Sequence, residues 1–159
     1  MPWPDLTCCG PTGKIFFMNA KQATPFALLG LDHIVIRGRD PGRLERFYCD
    51  VLGCRMERRQ EKIGLTQLRA GASLIDLVDI AGPLGREGGG APSVAARNMD
   101  HFCLRIEPFN AAAIREHFAR HGIQAGLVES RYGAEGEGPS IYLKDPEGNE
   151  VELKGPPSR

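Results

Sequence analysis

The feature that most constrains this chain is an internal duplication. Leu31-Asp32-His33-Ile34-Val35-Ile36-Arg37 is answered by Met99-Asp100-His101-Phe102-Cys103-Leu104-Arg105, with His101 standing 68 residues after His33. Self-similarity of this kind marks one structural unit used twice. Each copy opens on a strand-like alternation, passes through a short loop into a segment of helical period, and ends in further short alternating runs.

The element boundaries follow from local chemistry. In the first copy Asp40 is placed to cap a helix with Pro41 at its first position, and Leu44, Phe47, Tyr48, Val51 and Leu52 form one stripe before Gly53. Runs 54–61, 64–69 and 73–80 then read as three strands. In the second copy Asn110 caps a helix with Ala113, Ile114 and Phe118 on its apolar side and Gly122 at its end. Runs 124–129, 140–144 and 149–154 read as strands, with Asp145-Pro146-Glu147-Gly148 as a tight turn. The expected class is α+β, two βαβββ modules whose mixed sheet curves around a central cavity.

These modules occupy residues 30–81 and 99–155. Between them, 82–98 contains Gly82, Pro83, Gly85, Gly88, Gly89, Gly90 and Pro92 and reads as a linker or mobile flap. A second Gly-rich stretch, 133–139, reads as a loop beside the sheet. Residues 1–29 are expected to be a flexible extension and 156–159 a tail.

Composition narrows the partners. Twenty Lys and Arg balance twenty Asp and Glu, so no long-range field draws the chain to nucleic acid and a small molecule is the expected ligand. No run approaches the roughly 20 apolar residues that span a bilayer, and no signal-peptide core is evident, so a cytoplasmic location is expected. Five Cys, none in a C-x-x-C pair, do not form a disulfide framework. Cys103 is expected to be a small core thiol. His117 and His121 stand four apart on the second helix, where a solvated face explains them without a ligand.

The duplication also repeats ionisable groups. Strand alternation puts His33, Val35 and Arg37 on one face, and His101, Cys103 and Arg105 on the equivalent face. Late in each module a carboxylate stands between apolar neighbours: Asp76 before Leu77, and Glu152 before Leu153. If the modules pair about a pseudo-twofold axis, two imidazoles and two carboxylates converge. That donor set suits a divalent Zn, Ni, Co, Mn or Fe(II) and leaves positions for water or substrate.

Three segments bear a resemblance to a known family. They are Leu31-Asp32-His33-Ile34-Val35-Ile36, Phe47-Tyr48-Cys49-Asp50-Val51-Leu52-Gly53, and the closing run from Ser140 through Asp145-Pro146-Glu147-Gly148-Asn149 to Glu152-Leu153. Over residues 30–155 the chain resembles the vicinal oxygen chelate superfamily, which includes glyoxalase I, fosfomycin-resistance thiol transferases, extradiol dioxygenases and bleomycin-binding proteins. The resemblance implies metal ligands at His33, His101 and Glu152, with Asp76 where glyoxalase I has a fourth; a three-ligand site plus water stays open. It also implies a homodimer, Arg37 as the holder of a glutathione carboxylate, and Ser140 and Tyr142 as substrate-binding residues.

Three functions follow from the resemblance. The first is a glyoxalase-I-like lyase or isomerase, in which an enediolate is stabilised on a divalent metal and Glu152 or Asp76 moves the proton. The second uses the same His/His/Glu site for thiol transfer to an epoxide or for extradiol ring cleavage. The third is a metal-free binding protein that sequesters a small molecule, as in bleomycin resistance.

Overall fold

The computed structural model describes residues 30–93 and 99–158. Two four-stranded mixed sheets organise them. The first contains β1 (His33–Gly38), β2 (Arg55–Gln60), β3 (Leu65–Ala70) and β4 (Ser73–Asp79) in the order β1-β4-β3-β2. The second contains β5 (His101–Arg105), β6 (Glu129–Gly133), β7 (Gly136–Lys144) and β8 (Glu150–Lys154) in the order β5-β8-β7-β6. In each, the first strand lies parallel to the last and the other pairings are antiparallel. The α+β architecture of two βαβββ modules is therefore present.

Helix α1 (Pro41–Arg46) begins as its sequence dictates, with Asp40 Oδ1 accepting the Arg43 N–H at 2.8 Å. The stripe then widens into a π turn over Phe47–Val51, and Gly53 closes it at φ +73°, a left-handed value that glycine adopts without steric cost. This directs Phe47 and Tyr48 into the core together. Helix α3 (Ala111–Arg120) repeats the plan, with Asn110 Oδ1 accepting from Ala113 N at 3.1 Å.

One apolar core serves both modules. Ile36, Leu44, Leu68, Ile75 and Leu77 from the first join Phe102, Phe118, Ile141, Leu143, Val151 and Leu153 from the second. A polar tie crosses the same boundary. The buried Tyr48 hydroxyl donates to Asp145 Oδ2 at 2.9 Å, and that carboxylate also accepts from Glu147 N, Asn149 N and Asn149 Nδ2 at 2.8–2.9 Å. The Asp145–Gly148 turn thus anchors one module to the other's helix.

Three expectations about the fold need correction. The strand expected over 124–129 is only a single bridge, Ala125 to Leu143, before β6 begins at Glu129 opposite Ser140. Four residues on one side span three on the other, so an extra residue bulges the edge. The Gly-rich stretch 133–139 is not a loop, because most of it pairs in β6 and β7. Likewise the inter-module linker contains a short helix, α2 (Pro83–Glu87); its residues 94–98, and the extension 1–29 with Cys8 and Cys9, lie outside the described residues. Among the described residues no helix is long and apolar enough to cross a membrane.

Candidate metal centre

Strand alternation gives each sheet a face packed on the core and a face bearing polar groups. In the second sheet β5 offers His101, Cys103 and Arg105; β8 offers Glu150, Glu152 and Lys154; β7 offers Ser140, Tyr142 and Lys144. The register sets Cys103 and Tyr142 on either side of Glu152.

Glu152 is buried and heavily coordinated by donors. Ser140 Oγ donates to Oε1 at 2.5 Å, His101 Nε2 lies 3.2 Å from Oε2, and Tyr142 and Cys103 also hydrogen-bond the carboxylate. Burial pushes this carboxyl up, but the donors from Ser140, Tyr142 and Cys103, with His101, outweigh it and hold it below the usual Glu range. Cys103 is exposed on this face rather than in the core. Burial and the neighbouring Glu152 push its thiol up to about 11, so it stays protonated at neutral pH and donates its S–H.

His101 is oriented from outside. Its Nδ1 lies 2.7 Å from Asp100 Oδ2, and its ring meets Tyr142 edge-on at 5.4 Å. A proton on Nδ1, bonded to Asp100, leaves the Nε2 lone pair facing Glu152 Oε2. Two acceptors at that separation need a cation or a second proton between them. This imidazole–carboxylate pair, with an outer carboxylate fixing the tautomer, fits one half of a divalent-metal shell.

The first sheet carries the equivalent half. His33 Nδ1 lies 2.7 Å from Asp32 Oδ1, and that hydrogen bond is the main cause of a raised His33 pKa. Asp76 is buried, but Gln67 Nε2 donates to both its oxygens, at 3.2 and 3.0 Å. Among the described residues no group of three or more His, Cys, Asp and Glu gathers to hold a metal within one chain. The four expected ligands therefore divide into two pairs on separate sheets, not one cluster.

The structure gives Arg37 a different task from the one expected. Its Nη1 donates to the carbonyls of Gly88 (2.7 Å) and Gly90 (3.2 Å), and its Nη2 to those of Gly85 (2.7 Å) and Gly89 (2.9 Å). All four terminal N–H bonds are engaged, leaving no free fork for a carboxylate. A Cβ at Gly88 would stand 2.5 Å from Arg37 Nε, so glycine there is what lets the strap close. His117 also departs from its solvated-face reading: it is half-buried, with Nε2 at 2.8 Å from the Val51 carbonyl at the end of the π turn.

A family model of the glyoxalase/bleomycin resistance protein/dioxygenase superfamily matches residues 30–153. The chain belongs to this superfamily. Solved structures with the same fold include a virulence protein from Salmonella typhimurium, at 24% identity and TM-score 0.67, covering 82% of this chain and 99% of that one. A lactoylglutathione lyase from Agrobacterium tumefaciens matches at 21% identity and TM-score 0.59, over 80% and 94% of the two chains. The fosfomycin resistance protein FosX from Mesorhizobium loti matches at 19% and 0.58, over 81% and 93%. At these identities the likeness is one of fold.

Sequence reasoning missed several contributors to those two pairs. Asp32 and Asp100 sit inside the repeated motif, and their position next to each His was the available signal. Gln67 had none, since only strand register places it beside Asp76.

Proposed function

We propose that this chain is a metal-dependent enzyme of the glyoxalase type, a lyase or isomerase that moves a proton on a small oxygen-bearing substrate. The observation supporting this is the His101–Glu152 pair at 3.2 Å, held by Asp100, Ser140, Tyr142 and Cys103. His101 and Glu152 would hold a divalent ion together with His33, and with Asp76 once released from Gln67. A bound ion would supply Lewis acidity toward substrate oxygens. Glu152, kept ionised by its donors, accepts the proton, and Tyr142 stands beside it to orient substrate.

The two half-sites meet when two copies of the chain pair, the His33 face of one against the His101 face of the other. Val35, apolar yet 52% exposed beside His33, supports a face that is covered in use. A small molecule, such as a thiol adduct, is the substrate class. The hold of Gln67 on Asp76 favours a second reading, a three-ligand site for thiol transfer or ring cleavage.

The test is calorimetry with Ni, Zn, Mn and Fe(II), beside sedimentation to give the oligomeric state. Wild-type dimer is expected to bind stoichiometrically, with His101→Ala weakened about 100-fold or more. Loss in Asp76→Ala as well would select the glyoxalase reading and hemithioacetal substrates; retention would select the three-ligand reading. No binding by wild type would overturn both in favour of a sequestering protein.

A further inference from the structure

Lys154 is only 6% exposed, yet it is a long cation. Its Nζ donates to the carbonyls of Arg131 at 2.5 Å and Gly138 at 3.3 Å, and among the described residues no carboxylate oxygen lies within 4.0 Å of it. A buried ammonium without a counter-charge is costly unless something else uses it. The neighbouring cation, Arg105, is already engaged, with Nε 2.8 Å from Glu135 and Nη2 3.2 Å from Glu107.

The sheet is cut away to accommodate this side chain. A Cβ on Gly133 would stand 2.7 Å from Lys154 Cε and 3.0 Å from its Cδ, whereas one on Gly138 would first meet the Pro156 carbonyl oxygen at 2.5 Å. The fold does not ask for the charge. The equivalent position in the first module, two residues after Asp76 and opposite Arg37 as Lys154 is opposite Arg105, is Val78, buried at 2% exposure.

Lys154 also lines a cavity of about 340 Å³ shared with His101, Cys103, Arg105, Tyr132 and Glu152. It follows Glu152 by two residues on the same strand face, about 7 Å along the strand. We infer that Lys154 is a substrate-binding residue, whose ammonium, on a stem accommodated by Gly133, receives an oxyanionic substituent, a carboxylate or phosphoryl group, of the molecule bound at His101 and Glu152. This deepens the functional reading above and rests on it for where the reacting end of the substrate sits.

The experiment titrates metal-free wild-type protein with inorganic phosphate, and separately with acetate, following the Cε/Hε signals of its five lysines by NMR. Lys154→Met removes the charge and keeps the stem; Lys154→Arg keeps the charge and assigns the missing signal; Gly133→Ala keeps the charge but displaces it. A saturable shift of the Lys154 signal is expected, with phosphate affinity at least tenfold weaker in Lys154→Met, several-fold weaker in Gly133→Ala, and largely restored in Lys154→Arg. Should Lys154→Met not fold, the wild-type lysine spectrum and Gly133→Ala still decide. An unmoved Lys154 signal, or equal phosphate binding in Lys154→Met, overturns the inference. Lys154-dependent anion binding in a protein that binds no metal would sink the metal reading alone, whereas metal binding with no Lys154-dependent anion binding would sink only this one.

Discussion

The two modules place their half-sites in the same register and then use them differently. Asp76 lies opposite Val35, and Glu152 opposite Cys103, so each carboxylate has the same relation to the histidine two residues earlier on the neighbouring strand. Glu152, longer by one methylene, comes within 3.2 Å of its histidine. Asp76 is instead held by Gln67, whose counterpart in the second module is Tyr142. A duplicated backbone thus sets where a ligand can stand, while one methylene and one cross-strand neighbour decide what it touches.

The difference extends to the buried end of each face. Val78 fills its position with apolar volume, and Lys154 fills the equivalent one with a charged side chain packed over Gly133. The largest expected effect comes from erasing that contrast. Val78→Lys would bury an ammonium opposite Leu65, where Lys154 stands opposite Ser140, and should cost about 3 kcal/mol in denaturant unfolding. Stability within 0.5 kcal/mol of wild type, on the order of an ordinary surface change, would mean that the space over Gly133 is not what admits Lys154.

A middling effect is expected where the modules are tied together. Tyr48→Phe removes a buried donor to Asp145 and should lower stability by about 1.5 kcal/mol. Burial, and after it the Asp145 charge, push the Tyr48 hydroxyl up, so it donates across the whole neutral range and the loss should not vary with pH between 6 and 9, a window well below the ordinary tyrosine value of about 10. Loss of stability that grew with pH would point to another partner.

The smallest effect sharpens the comparison of ligands. Asp76→Glu gives the first half-site the reach of the second and should raise divalent-metal affinity about fivefold by calorimetry, roughly 1 kcal/mol. A fall in affinity would show that the Gln67-held carboxylate is already at its working length.

Much of this was legible from residues. The repeated Asp-His strands, the caps at Asp40 and Asn110, and the apolar stripe from Leu44 to Tyr48 each rest on short-range chemistry, and each is found in place. The edge strand after α3 was misplaced because a bulge between Ala125 and Glu129 leaves no local signature. The engagement of Arg37 by the glycine strap was invisible for a related reason: the four carbonyls that hold it lie 48 to 53 residues away in the chain.

What the sequence alone determined is the duplication, and with it two βαβββ modules, their core faces and a matched pair of histidines and carboxylates, because alternation and capping are local. The tertiary structure decided how these groups divide. It set His101 against Glu152 and Asp76 against Gln67, gave Arg37 to the glycine strap, and buried Lys154 beside the candidate metal centre. Those outcomes depend on which strands become neighbours, and strand pairing is a long-range choice that no window of residues encodes.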